Sequence, residues 1–87
     1  KQFMAYKQLT KLIREKIQRK ETIETKVLNL YEASNPSFYY VYEILGDYYA
    51  AIQQTDTAIT YWQKALTMPI PKQAEKVRIQ QKINKKQ

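Results

Sequence analysis

The amino-acid sequence predicts an all-α fold made of about five antiparallel helices in one domain. Helix-favouring residues such as Lys, Gln, Glu, Ala, Leu and Ile are plentiful, whereas the 87 residues include only one glycine and three prolines. Apolar residues recur at helical spacing, beginning with the stripe of Tyr6, Leu9, Ile13 and Ile17. The few helix breakers separate segments of ordinary helix length, which favours a series of helical hairpins.

The first 34 residues contain no proline or glycine and carry two apolar stripes. One begins at Tyr6, and the other consists of Ile23, Val27, Leu30 and Tyr31. Between them, QRKET (18–22) has no apolar residue. Either the chain turns there and forms a hairpin, or one helix of about 30 residues runs through the segment. A helix of that length is uncommon in a small domain, so we favour the hairpin.

Three later segments are expected to end helices. In SNPS (34–37) the asparagine can cap a helix whose first residue is the proline. QQTDT (53–57) is a short polar turn, and MPIP (68–71) stops one helix and starts the next. The expected helices after residue 34 are 37–52, 56–67 and 72–85.

The net charge of +7 is distributed unevenly along the chain. Residues 1–34 carry +4 and residues 71–87 carry +5, whereas residues 35–70 carry −2. Charge of this kind bears on solubility and non-specific binding rather than on fold. No apolar run approaches the ~20 residues of a membrane span. Because the sequence begins at Lys1 and not at methionine, we expect it to be part of a longer chain. The composition indicates no compartment.

Gly46 lies inside the helix expected over 37–52, where a glycine costs about 1 kcal/mol relative to alanine. It belongs to a spaced pattern of aromatic and small residues. The pattern consists of Tyr42, Leu45, Gly46, Tyr49, Ala58, Trp62, Ala65 and Pro69. This pattern resembles the tetratricopeptide repeat (TPR), in which a leucine–glycine pair on one helix faces alanines and a large aromatic on the next. The resemblance implies that Gly46 and Ala58 are small positions that receive bulky side chains, namely Tyr42, Tyr49 and Trp62.

The resemblance also divides the chain into units. Residues 35–70 are identified as one repeat, and the strong match covers residues 39–69. Pro69 lies one residue earlier than the proline of the repeat consensus. Residues 1–34 match as a degenerate hairpin, and residues 71–87 as the lone capping helix that commonly ends such arrays. A family member of this kind stacks its hairpins in a right-handed superhelix.

The sequence offers no catalytic constellation. Histidine and cysteine are absent, which excludes the usual zinc sites and Ser-His or Cys-His nucleophiles. Ser34 and Ser37 lie in a turn without a base. We interpret Glu43 and Asp47, four residues apart, as acids on a solvated helix face. The sequence therefore predicts a segment that is not an enzyme and has no catalytic residue, cofactor or metal.

The resemblance implies a concave surface formed by the first helix of each pair. Its candidate partner-binding residues are Tyr40, Glu43, Asp47, Ala50, Ala74 and Val77. A groove with a tyrosine and two acids suits a peptide with basic and apolar residues. Family members that hold a C-terminal carboxylate use lysine and asparagine there, so that activity is not implied. The alternative of equal weight is that Tyr40 packs against a neighbouring helix or domain.

The function expected from these observations is protein–protein or domain–domain interaction. One alternative is the C-terminal helical module of a larger enzyme such as a hydrolase, because ALTMPIPKQAEKVRIQQKI (65–83) resembles tails appended to such enzymes. The other is a basic adaptor for nucleic acid or a membrane surface, through KVRIQQKINKK (76–86). That segment lacks an arginine cluster and a stacking platform, so solvated lysines are the favoured interpretation.

The amino-terminal end of the array does not resemble a polar cap. Phe3, Met4 and Tyr6 lie close together there, and repeat arrays normally need polar caps at their ends. We therefore expect this end to be covered by a preceding domain or by a second copy, which gives a weak homo-oligomer through residues 1–34.

Overall fold

Five helices make up the part of the chain that the structure describes, which comprises residues 2–87 with side chains from residue 5 onward. The structure is a computed structural model. The helices are α1 (Gln2–Arg19), α2 (Thr25–Ser34), α3 (Tyr39–Ala51), α4 (Thr55–Leu66) and α5 (Gln73–Lys86). No strand occurs among these residues, so the predicted all-α class is confirmed. The helix ends after residue 34 lie within two residues of those expected from the sequence.

A turn separates α1 from α2, so residues 2–34 form a helical hairpin and not one long helix. The α1 helix ends at Arg19, and Lys20 adopts a left-handed backbone conformation with φ of 55°. The Lys20 amide donates to the carbonyl of Ile17 at 3.1 Å, and the Glu21 amide donates to that of Lys16 at 3.0 Å. These bonds close the last turn of α1 before the chain reverses.

Amide hydrogen exchange should report this turn directly. We expect fast exchange at Thr22 and Glu24, which are exposed and lie outside both helices, between protected amides in α1 and α2. The Ile23 amide donates to the hydroxyl of Tyr48 at 2.9 Å and should exchange more slowly than its two neighbours. Uniform protection from Arg19 to Thr25 would contradict the turn.

The α3 helix is the centre of the core and contacts α1, α2 and α4. The α1 and α2 helices pack together as the first hairpin, and α5 packs on α4. Because α3 is surrounded, most of its positions are buried. They are Tyr39, Val41, Tyr42, Glu43, Ile44, Leu45, Gly46 and Tyr48. This position explains why aromatic residues occur all round α3.

The pairing of α3 with α4 depends on Gly46. A Cβ atom built on Gly46 would lie 2.3 Å from Cδ1 and 2.4 Å from Nε1 of Trp62. The indole therefore packs directly against the α3 backbone, and Trp62 is only 3% exposed. Its Nε1 donates to the backbone carbonyl of Glu43 at 3.2 Å. The prediction that Gly46 makes room for a large aromatic side chain is confirmed.

Most of the other pattern residues are also in the core. Tyr42, Leu45, Ala58 and Ala65 are buried. Pro69 lies in the α4–α5 connection, after the end of α4 at Leu66. One position differs from the expectation. Tyr49 is only half-buried and stacks on Tyr61, with ring centroids 5.5 Å apart. The neighbouring Tyr48 is buried instead of Tyr49. Tyr48 faces the first hairpin, where its hydroxyl accepts a hydrogen bond from the Ile23 amide.

Candidate partner-binding groove

A cleft of about 340 Å³ lies between α1, α3 and α5. We call it the inner groove. The α1 helix contributes one wall, α3 the floor and α5 the other wall. Its lining residues are Arg14, Ile17 and Gln18 from α1; Tyr40, Glu43, Ile44 and Asp47 from α3; and Arg78 and Lys82 from α5. Three of the six residues proposed from sequence, Tyr40, Glu43 and Asp47, therefore lie together.

The floor of the inner groove holds a buried ionic cluster. Glu43 is 1% exposed, and both of its carboxylate oxygens are engaged by α5. Arg78 binds side-on, with Nη2 donating to Oε1 at 2.7 Å and Nε donating to Oε2 at 2.8 Å. Lys82 Nζ donates to Glu43 Oε2 at 2.8 Å and to Asp47 Oδ1 at 2.9 Å. This arrangement, which we call the Glu43 cluster, holds α5 against α3.

The expectation that Glu43 lies on a solvated face is wrong. Arg78 and Lys82 of α5 cover Glu43. These two cations are four residues apart on α5, as Glu43 and Asp47 are on α3. The two spacings place opposite charges in register across the two helices. Asp47 is only part-buried, and it also accepts from Trp62 Nε1 at 3.1 Å. Neither acid is free to bind a basic partner.

Burial and ion pairing have opposing effects on the two carboxyls. Burial alone would raise the pKa of Glu43, but the hydrogen bonds from Arg78 and Lys82 outweigh it and lower that pKa below its ordinary value of 4.5. For Asp47, burial has the larger effect, and its pKa is raised despite the contact with Lys82. Glu43 is therefore the acid whose charged form stabilises the fold.

The lowered pKa of Glu43 predicts a dependence of stability on pH. The stabilisation is fully present above the ordinary value of 4.5 and is lost as the pH falls through the lower folded-state value. Glu43→Gln should therefore lower the free energy of unfolding at about pH 7, and the difference from the parent protein should shrink towards about pH 3. Urea unfolding at both pH values measures this, with Glu15→Gln, at an exposed acid of α1, as the control. A difference that does not change with pH would contradict the prediction.

The α1 wall meets the floor at Tyr40. Arg14 Nη1 donates to the Tyr40 hydroxyl at 3.2 Å, and the half-buried Tyr40 ring contacts the rings of Phe38 and Tyr39. The ring contacts of Tyr40 are thus with its sequence neighbours, and its contact with the neighbouring helix α1 is the hydrogen bond from Arg14. Arg14 forms no ion pair among residues 2–87.

The other sequence-predicted residues do not line the inner groove. Ala50 is partly buried against the core, Ala74 is exposed, and Val77 is 43% exposed on α5. Arg14, Arg78 and Lys82 line the groove but were not predicted from the sequence. The matching four-residue spacings of the acids on α3 and the cations on α5 are consistent with their pairing but do not by themselves indicate it.

A second, apolar cleft lies on the outer side of the first hairpin. Its volume is about 490 Å³, and it is lined mainly by apolar side chains of α1 and α2. They include Ala5, Leu9, Leu12, Leu30 and Ala33. Tyr6, expected at an uncovered end, is instead buried and stacks on Tyr31, with centroids 5.7 Å apart. The side chains of Phe3 and Met4 lie outside the described residues.

Within residues 2–87, no group of three or more acidic side chains is arranged to hold a metal ion. The Ser34 hydroxyl donates to the carbonyl of Tyr31 at 2.6 Å, and Ser37 is exposed in the loop before α3. In the same part of the chain, no helix is both long enough and apolar enough to cross a bilayer.

Comparison with known proteins gives no match to a family model, a curated protein or a solved structure. The resemblance to the tetratricopeptide repeat, with its superhelical stacking and its division at residues 35–70 and 71–87, therefore stays a prediction.

Proposed function

We propose that this chain is a non-catalytic interaction module of tetratricopeptide type that binds a peptide or partner segment in the inner groove. The observation that supports this most strongly is the open cleft between α1, α3 and α5. Its volume lies at the lower end of the range of about 300–1,000 Å³ typical of ligand sites, which suits a few side chains of an extended segment.

The lining of the cleft also supports binding of a peptide. Ile17, Ile44 and Tyr40 supply apolar and aromatic surface, while Arg14 and Gln18 supply hydrogen-bond donors at the edge. Recognition sites usually combine apolar surface with a few placed polar groups, and the lining of the inner groove contains both. The Glu43 cluster holds the α5 wall against the α3 floor without using a partner.

A blocked groove tests the proposal. Peptides are selected from a random library against the parent protein, and their affinities are measured for two variants. Gln18→Trp places an indole in the groove, whereas Gln63→Trp adds the same group at an exposed position of α4. We expect the selected peptides to lose at least about tenfold in affinity with Gln18→Trp and to keep it with Gln63→Trp. Failure to select any peptide that Gln18→Trp blocks would contradict the proposal.

Two further functions rest on the sequence alone. As the C-terminal module of a larger enzyme, the chain would use the same groove for an adjoining domain of the intact protein. As a basic adaptor, it would bind random DNA or anionic vesicles in a salt-dependent manner. No binding to either at low salt would exclude that function.

A second candidate interaction is weak self-association through the first hairpin. The apolar cleft between α1 and α2 favours it, because Leu30 is 60% exposed and Leu12 is 39% exposed beside it. Neighbouring apolar side chains of this kind mark interaction surfaces more often than single exposed ones do.

Light scattering across a dilution series tests self-association. We expect the apparent mass to rise with concentration for the parent protein and to remain that of a monomer for Leu30→Glu. Because Leu30 is largely exposed, the substitution should change the free energy of unfolding by no more than about 0.5 kcal/mol. Thr60→Glu, at an exposed position of α4, is the control. A strictly monomeric parent protein at high concentration would exclude this interaction.

A further inference from the structure

We infer that the partner of the inner groove is an acidic peptide segment, recognised through its carboxylate side chains by cations of α1 and α5. The inference rests on the proposed function and adds the chemistry of the partner. It reverses the charge preference expected from the sequence, where Glu43 and Asp47 favour a basic partner.

The acids of the groove are already neutralised within the protein. Arg78 and Lys82 lie within 3.0 Å of the oxygens of Glu43 and Asp47. A basic peptide would have to displace a bidentate arginine from Glu43, whose side chain is only 2% exposed. The two cations of α5 cancel the two anions of α3, so the remaining charge of the groove comes from the α1 wall.

The α1 wall is basic along its length. Lys7, Lys11, Arg14 and Gln18 follow each other at intervals of three or four residues and line a shallow cleft of about 300 Å³. This cleft borders the inner groove, because Arg14 and Gln18 line both. Glu15 is the only acid that lines it among the described residues. A segment that leaves the inner groove along α1 therefore passes several cations and one anion.

Two guanidinium groups present hydrogen-bond donors to the groove, and Arg14 is the one that adds net positive charge. Arg14 donates one hydrogen bond to the Tyr40 hydroxyl and keeps its remaining donors for a ligand. Arg78 uses Nε and Nη2 for Glu43, and its side chain is still 45% exposed. Arginine presents a planar set of donors that matches a carboxylate. A glutamate or aspartate side chain in the groove would thus meet donors from both α1 and α5.

The apolar part of the floor favours a peptide over a nucleic acid. Ile17 and Ile44 lie between the cations, where side chains of a peptide can be buried. Single-stranded nucleic acid is bound by grooves that combine cations with several aromatic rings for stacking. Tyr40 is the only aromatic residue that lines this groove among the described residues.

The test compares peptides of opposite charge. A labelled dodecapeptide of glutamate, alanine and leucine, acetylated and amidated, is titrated at about 50 mM salt, beside its lysine-for-glutamate counterpart. We expect the glutamate peptide to bind at least about tenfold more tightly, and this advantage to fall as salt is raised. The same peptide with a free carboxyl terminus should bind with similar affinity, because recognition is through side chains.

Two variants show whether a cation of the groove contributes to binding of the glutamate peptide. Arg14→Gln should lower the affinity for the glutamate peptide by up to about fivefold, which is the range for an exposed ion pair. Lys26→Gln, which removes an exposed cation from α2, should leave its affinity unchanged, with thermal melts confirming that both variants fold. Equal weakening by the two variants would indicate non-specific attraction and overturn the inference.

Other outcomes separate this inference from the proposed function. If both peptides bind equally and Gln18→Trp blocks them, the groove binds peptides but the acidic preference is wrong. Tighter binding of the lysine peptide, or of a single-stranded oligonucleotide, would also overturn the acidic preference. Binding that requires the free carboxyl terminus would replace side-chain recognition by end recognition. Binding of neither peptide overturns the inference.

Discussion

Replacing Gly46 with leucine is expected to lower the free energy of unfolding by several kcal/mol, although leucine is the better helix former. Even the alanine variant should lose about 1–3 kcal/mol through overpacking. The reason is the indole of Trp62, whose Cδ1 would lie 2.3 Å from a Cβ atom at position 46. Trp62 is buried and donates from Nε1 to Glu43 and Asp47, so the ring cannot move aside without losing both bonds. Urea unfolding measures the loss.

A double-mutant cycle separates this collision from the helix propensity of glycine. In a Trp62→Leu background the ring is absent, and Gly46→Ala should then raise the free energy of unfolding by up to about 1 kcal/mol, the propensity difference between the two residues. The effect of Gly46→Ala on the free energy of unfolding thus changes sign between the two backgrounds. A stabilising Gly46→Ala in the parent protein would contradict the packing of α3 on α4.

The second large effect is expected at Lys82. Lys82→Met leaves Glu43 with one cation in place of two and Asp47 with none, and it should lower the free energy of unfolding by roughly 3 kcal/mol. Lys85→Met, at an exposed position of the same helix, should change it by less than about 0.5 kcal/mol. Chemical denaturation of both variants gives the comparison.

The partner variant shows whether the loss comes from the buried acid. In a Glu43→Gln background the buried charge is gone, and Lys82→Met should cost clearly less than it does in the parent protein. Equal costs in the two backgrounds would mean that Lys82 acts through its aliphatic stem or through Asp47 alone, and that its ion pair with Glu43 does not hold α5.

The α3–α4 pairing was predictable from the sequence because its determinants are local and compositional. A glycine inside a helix, twelve residues before an alanine and sixteen before a tryptophan, indicates where two helix backbones approach each other. The turn after α1 was predictable for a similar reason, since residues 18–22 interrupt the apolar stripes. Lys20 closes the turn in the left-handed region, and no residue type in that segment indicated which position would do so.

The burial of Glu43 was not predictable from its own helix. Glu43 and Asp47 share a face four residues apart, which is also the pattern of acids in water. The difference comes from α5, nearly forty residues away in the sequence, where Arg78 and Lys82 alternate with the buried Ile79 and Ile83. Only the packing of α5 beside α3 brings the two pairs together. A charge pattern on one helix does not indicate which charges a second helix will cover.

The central claim is that the inner groove is the binding surface, and mapping a bound peptide by NMR tests it most directly. The probe is a library-selected peptide, titrated into isotope-labelled protein. We expect the largest backbone and side-chain shifts at Arg14, Gln18, Tyr40 and Arg78, which line the groove, with small changes along α2 and the outer face of α4. Shifts concentrated instead at Leu12, Leu30 and Ala33, in the apolar cleft of the first hairpin, would contradict the claim.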